Sequence, residues 1–324
     1  MVDAEALLSA TRRPLVLGIG GGGDVVGALA TAETCRLYHG AEPLLGGVTW
    51  ERPPVDPLPG PRRAAEIEGA RPLAPGVLAA SRDTHVRENG TLFAESRISA
   101  LLGSETVLVD PNVGPGGVAT GLARTAQALA RDLVVFVDVG GDALGHGDEP
   151  GLASPLCDAV MIAAAAILAE SGVPVLGGVF GVGCDGELTP GEVLERLAEI
   201  AAAGGFVGAR ALTPAVAALL EEAVAAVPTE ASAQALRCWR GDTGTATIRR
   251  GRRTVQLTPL GALTFYFDVR AALRSACRLA RAVRESQSVE AANDALHALG
   301  VRTELDYERE LASPAGERRG AGGG

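Results

Sequence analysis

The sequence predicts an α/β protein with a doubly wound, mainly parallel sheet. Two observations lead to this prediction. Short runs of valine and leucine, continuous enough to be buried on both faces of a sheet, alternate with segments of helical length. A run of glycines separates the first predicted strand from the first predicted helix. Alternation of this kind favours right-handed crossovers between parallel strands, so we expect a Rossmann-like three-layer sandwich.

The alternation extends through the first two thirds of the chain. The predicted strands are residues 15–19, 44–50, 106–110, 133–138 and 173–178. The predicted helices are residues 25–38, 117–130, 154–171 and 189–203. Each strand is followed by a glycine, proline or asparagine turn, so the strand ends are expected to meet at one edge of the sheet.

We expect a single α/β domain over residues 1–312, with a core sheet and its helices at 14–204. The proline-rich stretch 51–103 is predicted to be a long irregular insertion or lid. Residues 205–312 form an extension with helices, a hairpin around 250–252 and a strand at 263–267, which either extends the sheet or forms a subdomain. The glycine-rich tail 313–324 is predicted to be disordered.

Composition excludes several classes of function. The net charge of −10 and 3% aromatic content argue against a nucleic-acid partner. All 29 basic residues are arginine, which excludes a P-loop ATP site and a pyridoxal phosphate site, because both need lysine. Scattered cysteines, with no leader and no apolar run of bilayer length, predict a cytoplasmic protein without a membrane partner.

A glycine loop is the first candidate for ligand binding. Its residues are Gly20, Gly21, Gly22, Gly23 and then Asp24. A turn of this kind between strand and helix exposes backbone N–H groups to an anion, and Gly18 begins a G-x-G-x-x-G spacing. Asp24 would repel a bare phosphate there. It is therefore a candidate Mg²⁺ ligand or hydroxyl acceptor, with simple helix capping as the alternative.

The second and third predicted strands also end in polar residues. Glu51 and Arg52 follow the second strand, where a nicotinamide site has an acid for the ribose, although Glu51 is later than the usual spacing. Asp110 and Asn112 follow the third strand, either as part of a shared pocket or as ordinary turn formers. Arginines within 82–97 are candidates to close over the site, with solvated surface charges as the alternative.

A fourth buried strand delivers Asp138 to the same edge, and Gly140 and Gly141 then turn the chain. Several carboxylates at one edge repel each other unless a cation or a proton separates them. The loop therefore predicts a metal site or a carboxylate with a raised pKa, and a solvated acidic loop is the alternative. The candidate catalytic residues are Asp138, Asp142 and His146, and the candidate Mg²⁺ ligands are Asp24 and Asp138. After the fifth strand, Asp185 and Glu187 are more simply explained as helix caps.

Three motifs resemble the archaeal and bacterial family catalogued as domain of unknown function 1152. They are Gly20-Gly21-Gly22-Gly23-Asp24, Gly46-Gly47-Val48-Thr49-Trp50-Glu51-Arg52, and Asp138-Val139-Gly140-Gly141-Asp142 with the later Ser154-Pro155-Leu156-Cys157-Asp158. The likeness spans roughly residues 14–310. It implies one α/β unit with a shared site, and it supplies no activity.

Together these features predict a small-molecule enzyme that binds a polar, phosphorylated or nucleotide-like ligand and catalyses group transfer or hydrolysis. Two alternatives stay open: a non-catalytic ligand-binding or sensing protein on the same fold, and an NAD(P)-type oxidoreductase. The expected partners are a small-molecule ligand and, near Trp239, a second copy of the chain.

Overall fold

A nine-stranded mixed sheet forms the centre of the protein. The structure is a computed structural model, and it describes residues 3–313. The sheet strands are β1 (Pro14–Gly18), β2 (Leu44–Val48), β3 (Ile67–Ala74), β4 (Val77–Val86), β5 (Thr106–Val109), β6 (Leu133–Val139), β7 (Val175–Phe180), β8 (Phe206–Ala211) and β11 (Leu263–Phe267), and a separate hairpin contains β9 (Gly244–Ile248) and β10 (Arg253–Leu257). The predicted disorder of 313–324 lies, apart from Ser313, outside the described residues.

Helices cover both faces of the sheet, as predicted. They are α1 (Ala4–Ala10), α2 (Asp24–His39), α3 (Ala94–Leu102), α4 (Gly114–Ala128), α5 (Pro155–Glu170), α6 (Pro190–Ala202), α7 (Pro214–Ala226), α8 (Glu230–Trp239), α9 (Val269–Arg274), α10 (Arg278–Val283), α11 (Val289–His297) and α12 (Glu304–Leu311). Leu15 and Leu17 pack in one hydrophobic cluster with α4 and α5, whereas Val16 packs in the other with α2 and α7. The alternation along β1 therefore sends successive side chains into two separate layers. Between residues 3 and 313, no helix is long and apolar enough to cross a bilayer.

The strand order places a crevice at the carboxyl edge of the sheet. The order is β3-β4-β5-β2-β1-β6-β7-β11-β8, and the five central strands from β5 to β7 are parallel. The chain moves outward from β1 to β2 and β5 in one direction, and then from β6 to β7 in the other. Ligands of doubly wound sheets bind where this direction reverses, which here lies between β1 and β6.

The stretch 51–103 differs from its prediction, because it is not irregular. It contains β3 and β4, an antiparallel hairpin that extends the sheet beyond β5, followed by α3. Most of β3 is exposed or half-buried, so it lacks the apolar run that marks the central strands. Pro72 is tolerated in β3 because an edge strand leaves one row of N–H groups unpaired.

The C-terminal third extends the sheet at the opposite edge. Strand β11 pairs antiparallel with β7 and with β8. The sequence pattern predicts neither β8, a largely exposed edge strand, nor α12. A single long helix was expected at 268–285, but the chain forms the short helices α9 and α10 with a break between them.

Candidate functional site

Six carboxylates gather at the carboxyl ends of β1, β6 and β7. They form two groups, in each of which one oxygen from every residue lies within 4.8 Å of the others. We call Asp24, Asp138 and Asp158 the first triad, and Asp142, Asp185 and Glu187 the second triad. Both lie beside the crevice between β1 and β6. Asp158 was not among the predicted site residues, although its segment belonged to a recognised motif.

The glycine loop holds the carboxylate of Asp24. The backbone N–H of Gly20 donates to Asp24 Oδ2 at 2.8 Å, and the N–H of Gly22 donates to the Trp50 carbonyl at 2.9 Å. A Cβ on Gly20 would lie 2.8 Å from Asp24 Oδ2 and 3.0 Å from Asp158 Oδ2. Glycine at this position therefore lets two carboxylates approach the turn. Asp24 accepts a backbone N–H that the sequence predicted to bind a ligand.

The remaining glycines of the loop serve packing. Gly21 has a positive φ of 88°, and a Cβ there would lie 2.7 Å from the Trp50 carbonyl oxygen. A Cβ on Gly23 would lie 2.2 Å from the Thr229 side chain. The close spacing of glycines is thus explained in large part by approach of neighbouring chain segments.

Three of the clustered carboxylates are buried without hydrogen-bond partners. Asp138 is 1% exposed, and neither of its oxygens accepts a hydrogen bond of normal geometry. The same holds for Oδ1 of Asp158 and for both oxygens of Asp185. A buried charge without a partner is strongly unfavourable, so these groups must bind protons or a cation.

The pKa values of the clustered acids reflect this environment. Burial, and then the neighbouring Asp24 and Asp185, raise the pKa of Asp138 well above its usual range. Burial and nearby acids likewise raise the pKa of Asp142 and of Asp158. Burial raises the pKa of Asp24 to about 7, against the opposing effects of the Gly20 N–H and Arg52, and it raises the pKa of Asp185 to about 8. The cluster therefore retains protons near neutral pH when no cation is bound.

The glycines after β6 bring Asp185 next to this loop. Gly140 has φ +130°, and a Cβ there would lie 2.2 Å from the Asp185 carboxyl carbon. Gly141 has φ +118° and lies against Val193 of α6. Asp142 then begins a 3₁₀ turn, Asp142–Leu144. Gly140 and Gly141, both predicted site residues, thus allow the residues of the second triad to lie close together.

Glu187 differs from the other clustered acids because it is fully partnered. It accepts the N–H groups of Ala153 and Ser154 at 2.8 Å each, the Ser154 hydroxyl, and Nη1 of Arg253 at 2.6 Å. Burial alone would raise its pKa, but Arg253 and these hydrogen bonds lower it. Glu187 is therefore an ionised residue that fixes the start of α5 and holds Arg253 beside the second triad.

Helix α12 closes one side of the site. Glu304 accepts the N–H groups of Leu156 and Cys157 at 3.0 and 2.9 Å, in the first turn of α5. Arg52 lies 3.2 Å from Glu304 and donates to the Gly20 carbonyl at 2.5 Å. The Arg52 guanidinium also lies 4.4 Å from the Trp50 ring centre. Arg52 thus links α12 to the glycine loop. Its partner Glu304 could not be predicted from residues at strand ends, because it lies on a helix far along the chain.

Glu51, Asp110 and Asn112 are engaged elsewhere. Glu51 accepts the N–H of Ala94 at the start of α3 at 2.5 Å, and burial raises its pKa to about 7. Asp110 accepts the backbone and side-chain N–H groups of Asn112 at 2.9 Å each, and the N–H of Ala64 at 3.2 Å. These residues bind the 51–103 segment to the sheet, and they belong to neither triad.

His146 lies against α6. Its ring contacts Arg196, and its Nε2 lies 3.2 Å from a carboxylate oxygen of Glu199. Burial, and then Arg196, lower its pKa. His146 does belong to a further acidic group with Asp148 and Glu149, but that group shares no residue with the triads.

A cavity of about 840 Å³ opens next to the second triad. Its basic lining consists of Arg52, Arg249, Arg252 and Arg253, the last three from the β9–β10 hairpin. The arginines of 82–97 were the expected source of positive charge, but none of them lines this cavity in the described chain. One of that group, Arg87, pairs with Glu68 instead.

Residues 15–312 match the family described as "Protein of unknown function (DUF1152)". The chain belongs to this family. The match covers the sheet from its second residue, both triads and all of α12, so the whole site lies within the matched region. Searches of curated proteins and of solved structures returned no match.

Proposed function

We propose that this member of the DUF1152 family is an enzyme that uses a divalent cation, with magnesium as the candidate, to act on a small phosphorylated ligand. The observation that carries the proposal is the first triad, in which buried oxygens of Asp138 and Asp158 have no hydrogen-bond partner. Carboxylate oxygens are the ligands that Mg²⁺ prefers. A cation replaces the protons that the raised pKa values imply, and so satisfies these groups.

The phosphorylated ligand is supported by the neighbouring arginines. Guanidinium groups bind phosphate by charge-assisted hydrogen bonds. In this chain, four arginines line a cavity that adjoins the second triad. A bound divalent cation supplies polarisation of a phosphoryl oxygen. Hydrolysis or group transfer is the reaction that fits such a pairing of acids and arginines.

Among the chain's own groups, Asp142 is the candidate for acid–base work. Its burial and its acidic neighbours raise its pKa, which favours the protonated state that a general acid requires. His146 was an equal candidate on sequence, but its partners on α6 favour a structural role. Gly20 and Arg52 position the glycine loop, and Asp24 with it.

Two observations weigh against the dinucleotide alternative. The Asp24 carboxylate accepts the Gly20 N–H at the turn where a dinucleotide pyrophosphate would bind. Glu51, which would hold the ribose, is bound to the start of α3. The sensing alternative uses the same site, and turnover distinguishes it from an enzyme.

The proposal is tested by titrating the chelator-treated full chain with Mn²⁺, followed by electron paramagnetic resonance. We expect saturable binding that Asp158→Asn abolishes and that Asp294→Asn, at an exposed acid of α11 outside the three acidic groups, leaves unchanged. A cation at about 100 times its dissociation constant adds roughly 2.7 kcal/mol of stability. Phosphate release from a panel of phosphorylated metabolites with Mg²⁺ then tests turnover.

Absence of Mn²⁺ binding, or equal binding by the Asp158→Asn variant, contradicts the proposal. Binding of cation and ligand without turnover of any panel compound supports the sensing alternative instead.

A further inference from the structure

The turn between β9 and β10 presents a cluster of arginines in an unusual backbone conformation. It runs Arg249, Arg250, Gly251, Arg252, and Arg253 follows at the start of β10. Arg249 and Arg250 have φ of +51° and +56°, and Gly251 has φ of +81°. Left-handed conformations are unfavourable for residues with a Cβ, and such conformations are concentrated at active sites and ligand-binding sites.

Two of these arginines, Arg249 and Arg252, are exposed and form no ion pair with a described residue. Within residues 3–313, the side chain of Arg249 makes no hydrogen bond or ion pair, and its backbone N–H donates to Glu230. The Arg252 side chain donates only to the Arg249 carbonyl, at 3.2 Å. Burial, and then Arg253, lower the pKa of Arg249, as expected for a cation held near other cations. Both side chains line the cavity.

The acids that line the same cavity are already compensated. Glu304 accepts N–H groups at the start of α5 and pairs with Arg52. Glu308 accepts Nε1 of Trp50 at 3.0 Å and the N–H of Gly60 at 2.7 Å. Glu310 pairs with Arg302. Among the described residues, the cavity therefore has two arginines without an ion-pair partner, Arg249 and Arg252, both on the exposed hairpin turn.

Arg253 fixes the turn beside the acids. Its Nη1 donates to Glu187 at 2.6 Å and lies 3.4 Å from the Asp185 carbonyl oxygen. The arginine end of the cavity therefore adjoins the second triad. At about 840 Å³, the cavity lies within the range of sites for small metabolites.

We propose that Arg249 and Arg252 clamp the outer phosphate of two linked phosphates, so that the ligand is a diphosphate or triphosphate ester. The inference rests on the proposed function and narrows its substrate class. Two guanidinium groups without an ion-pair partner match the added charge of a second phosphate, and the inner phosphate would lie toward Arg253, which Glu187 of the second triad holds in place. A monophosphate held at the cation leaves both guanidinium groups unpaired.

The test uses inorganic pyrophosphate and orthophosphate as probes, titrated calorimetrically into the full chain with and without Mn²⁺. The variant is Arg249→Gln with Arg252→Gln. Its matched control is Arg250→Gln, which lies in the same left-handed turn but does not line the cavity. We expect the double variant to weaken pyrophosphate binding by roughly tenfold to a hundredfold, because each lost charge-assisted hydrogen bond weakens binding markedly. The control variant should have little effect.

Three outcomes overturn the inference: no effect of the double variant on pyrophosphate binding, equal weakening by Arg250→Gln, which indicates diffuse attraction, or pyrophosphate that binds no tighter than orthophosphate. Mn²⁺ affinity of each variant separates this result from the proposed function. If the double variant changes neither Mn²⁺ binding nor pyrophosphate binding, the phosphate clamp is rejected and the proposed cation site is not. Arginine-dependent pyrophosphate binding in a chain that binds no Mn²⁺ supports the clamp and rejects the cation site.

Discussion

The two halves of the sheet's carboxyl edge use the same sequence design with opposite results. At β2 and β5, Glu51 and Asp110 follow buried strands, and each accepts backbone N–H groups from the covering segments. Asp138 lies near the end of β6 and Asp185 follows β7, but within residues 3–313 their oxygens accept no hydrogen bond of normal geometry. The comparison teaches that an acid at a strand end is structural or functional according to the donors around it.

The origin of the difference lies in what covers each half. Over β2 and β5, the 51–66 segment and the start of α3 supply N–H donors, such as those of Ala64 and Ala94. Over β1, β6 and β7, the loops bring further acids, so carboxylates pack against carboxylates. Such a packing needs protons or a cation to persist.

The largest expected effect is on cation binding. Asp138→Asn should reduce Mn²⁺ affinity by more than about a hundredfold. Mutation of a residue that only orients a metal ligand already lowers affinity by roughly tenfold to a hundredfold, and loss of the ligand itself lowers it further. Asp110→Asn, in the partnered half, should leave Mn²⁺ affinity unchanged. Electron paramagnetic resonance of free Mn²⁺ measures both. Equal losses in the two variants would remove the distinction between the halves.

The pH dependence of stability tests the same distinction without mutation. The pKa of Asp24 is raised to about 7 and that of Asp185 to about 8 from 3.8, so the folded chain binds more protons than the unfolded chain between these values. The contribution of these two carboxyls to the stability of the metal-free protein is therefore fully present below about pH 4 and should fall, by on the order of several kcal/mol, as pH rises to about 8. Urea unfolding at a series of pH values measures this fall.

Saturating Mn²⁺ should flatten the fall, because the cation takes the place of protons in the triads. Glu51 contributes to the fall through its own raised pKa, so only the part that Mn²⁺ removes reports on the unpartnered half. A metal-free stability that rises over this pH range contradicts the proposed protonation of the cluster.

A smaller, purely structural effect is expected in the partnered half. Asp110→Ala leaves the N–H groups of Asn112 and Ala64 without their acceptor, which should lower the free energy of unfolding by about 2 kcal/mol. Urea denaturation gives the value, and Mn²⁺ affinity serves as the control because it should not change. Loss of Mn²⁺ binding here would place Asp110 in the functional site.

The smallest effects come from the glycine loop. Gly20→Ala adds a Cβ 2.8 Å from Asp24 Oδ2, which should displace the triad and weaken Mn²⁺ binding by about tenfold. Gly22→Ala adds strain at φ +57° but meets no atom nearer than 3.6 Å, so it should cost about 1 kcal/mol of stability without changing Mn²⁺ affinity. A reversed order of Mn²⁺ affinities would show that the loop binds the ligand directly.

The central sheet could be predicted because its strands carry their own signal. Residues 133–137 form a continuous apolar run, and β6 spans Leu133–Val139. The edge strands β3 and β8 could not be recognised in this way, since one or both of their faces meet solvent. Strand-end acids were predictable as a class, and Asp24 and Asp138 do lie in one triad.

The sequence by itself determined the layered fold and the acidic character of the carboxyl edge, because burial periodicity and turn chemistry are local properties of the chain. Tertiary structure alone decided which acids lack partners, that Asp158 and Asp185 join the cluster, and that arginines arrive from 249–253. Those outcomes depend on contacts between distant segments: the donor and acceptor that join Leu156 to Glu304 are 148 residues apart. Hydrogen-bond satisfaction is a property of such contacts, and no local pattern encodes it.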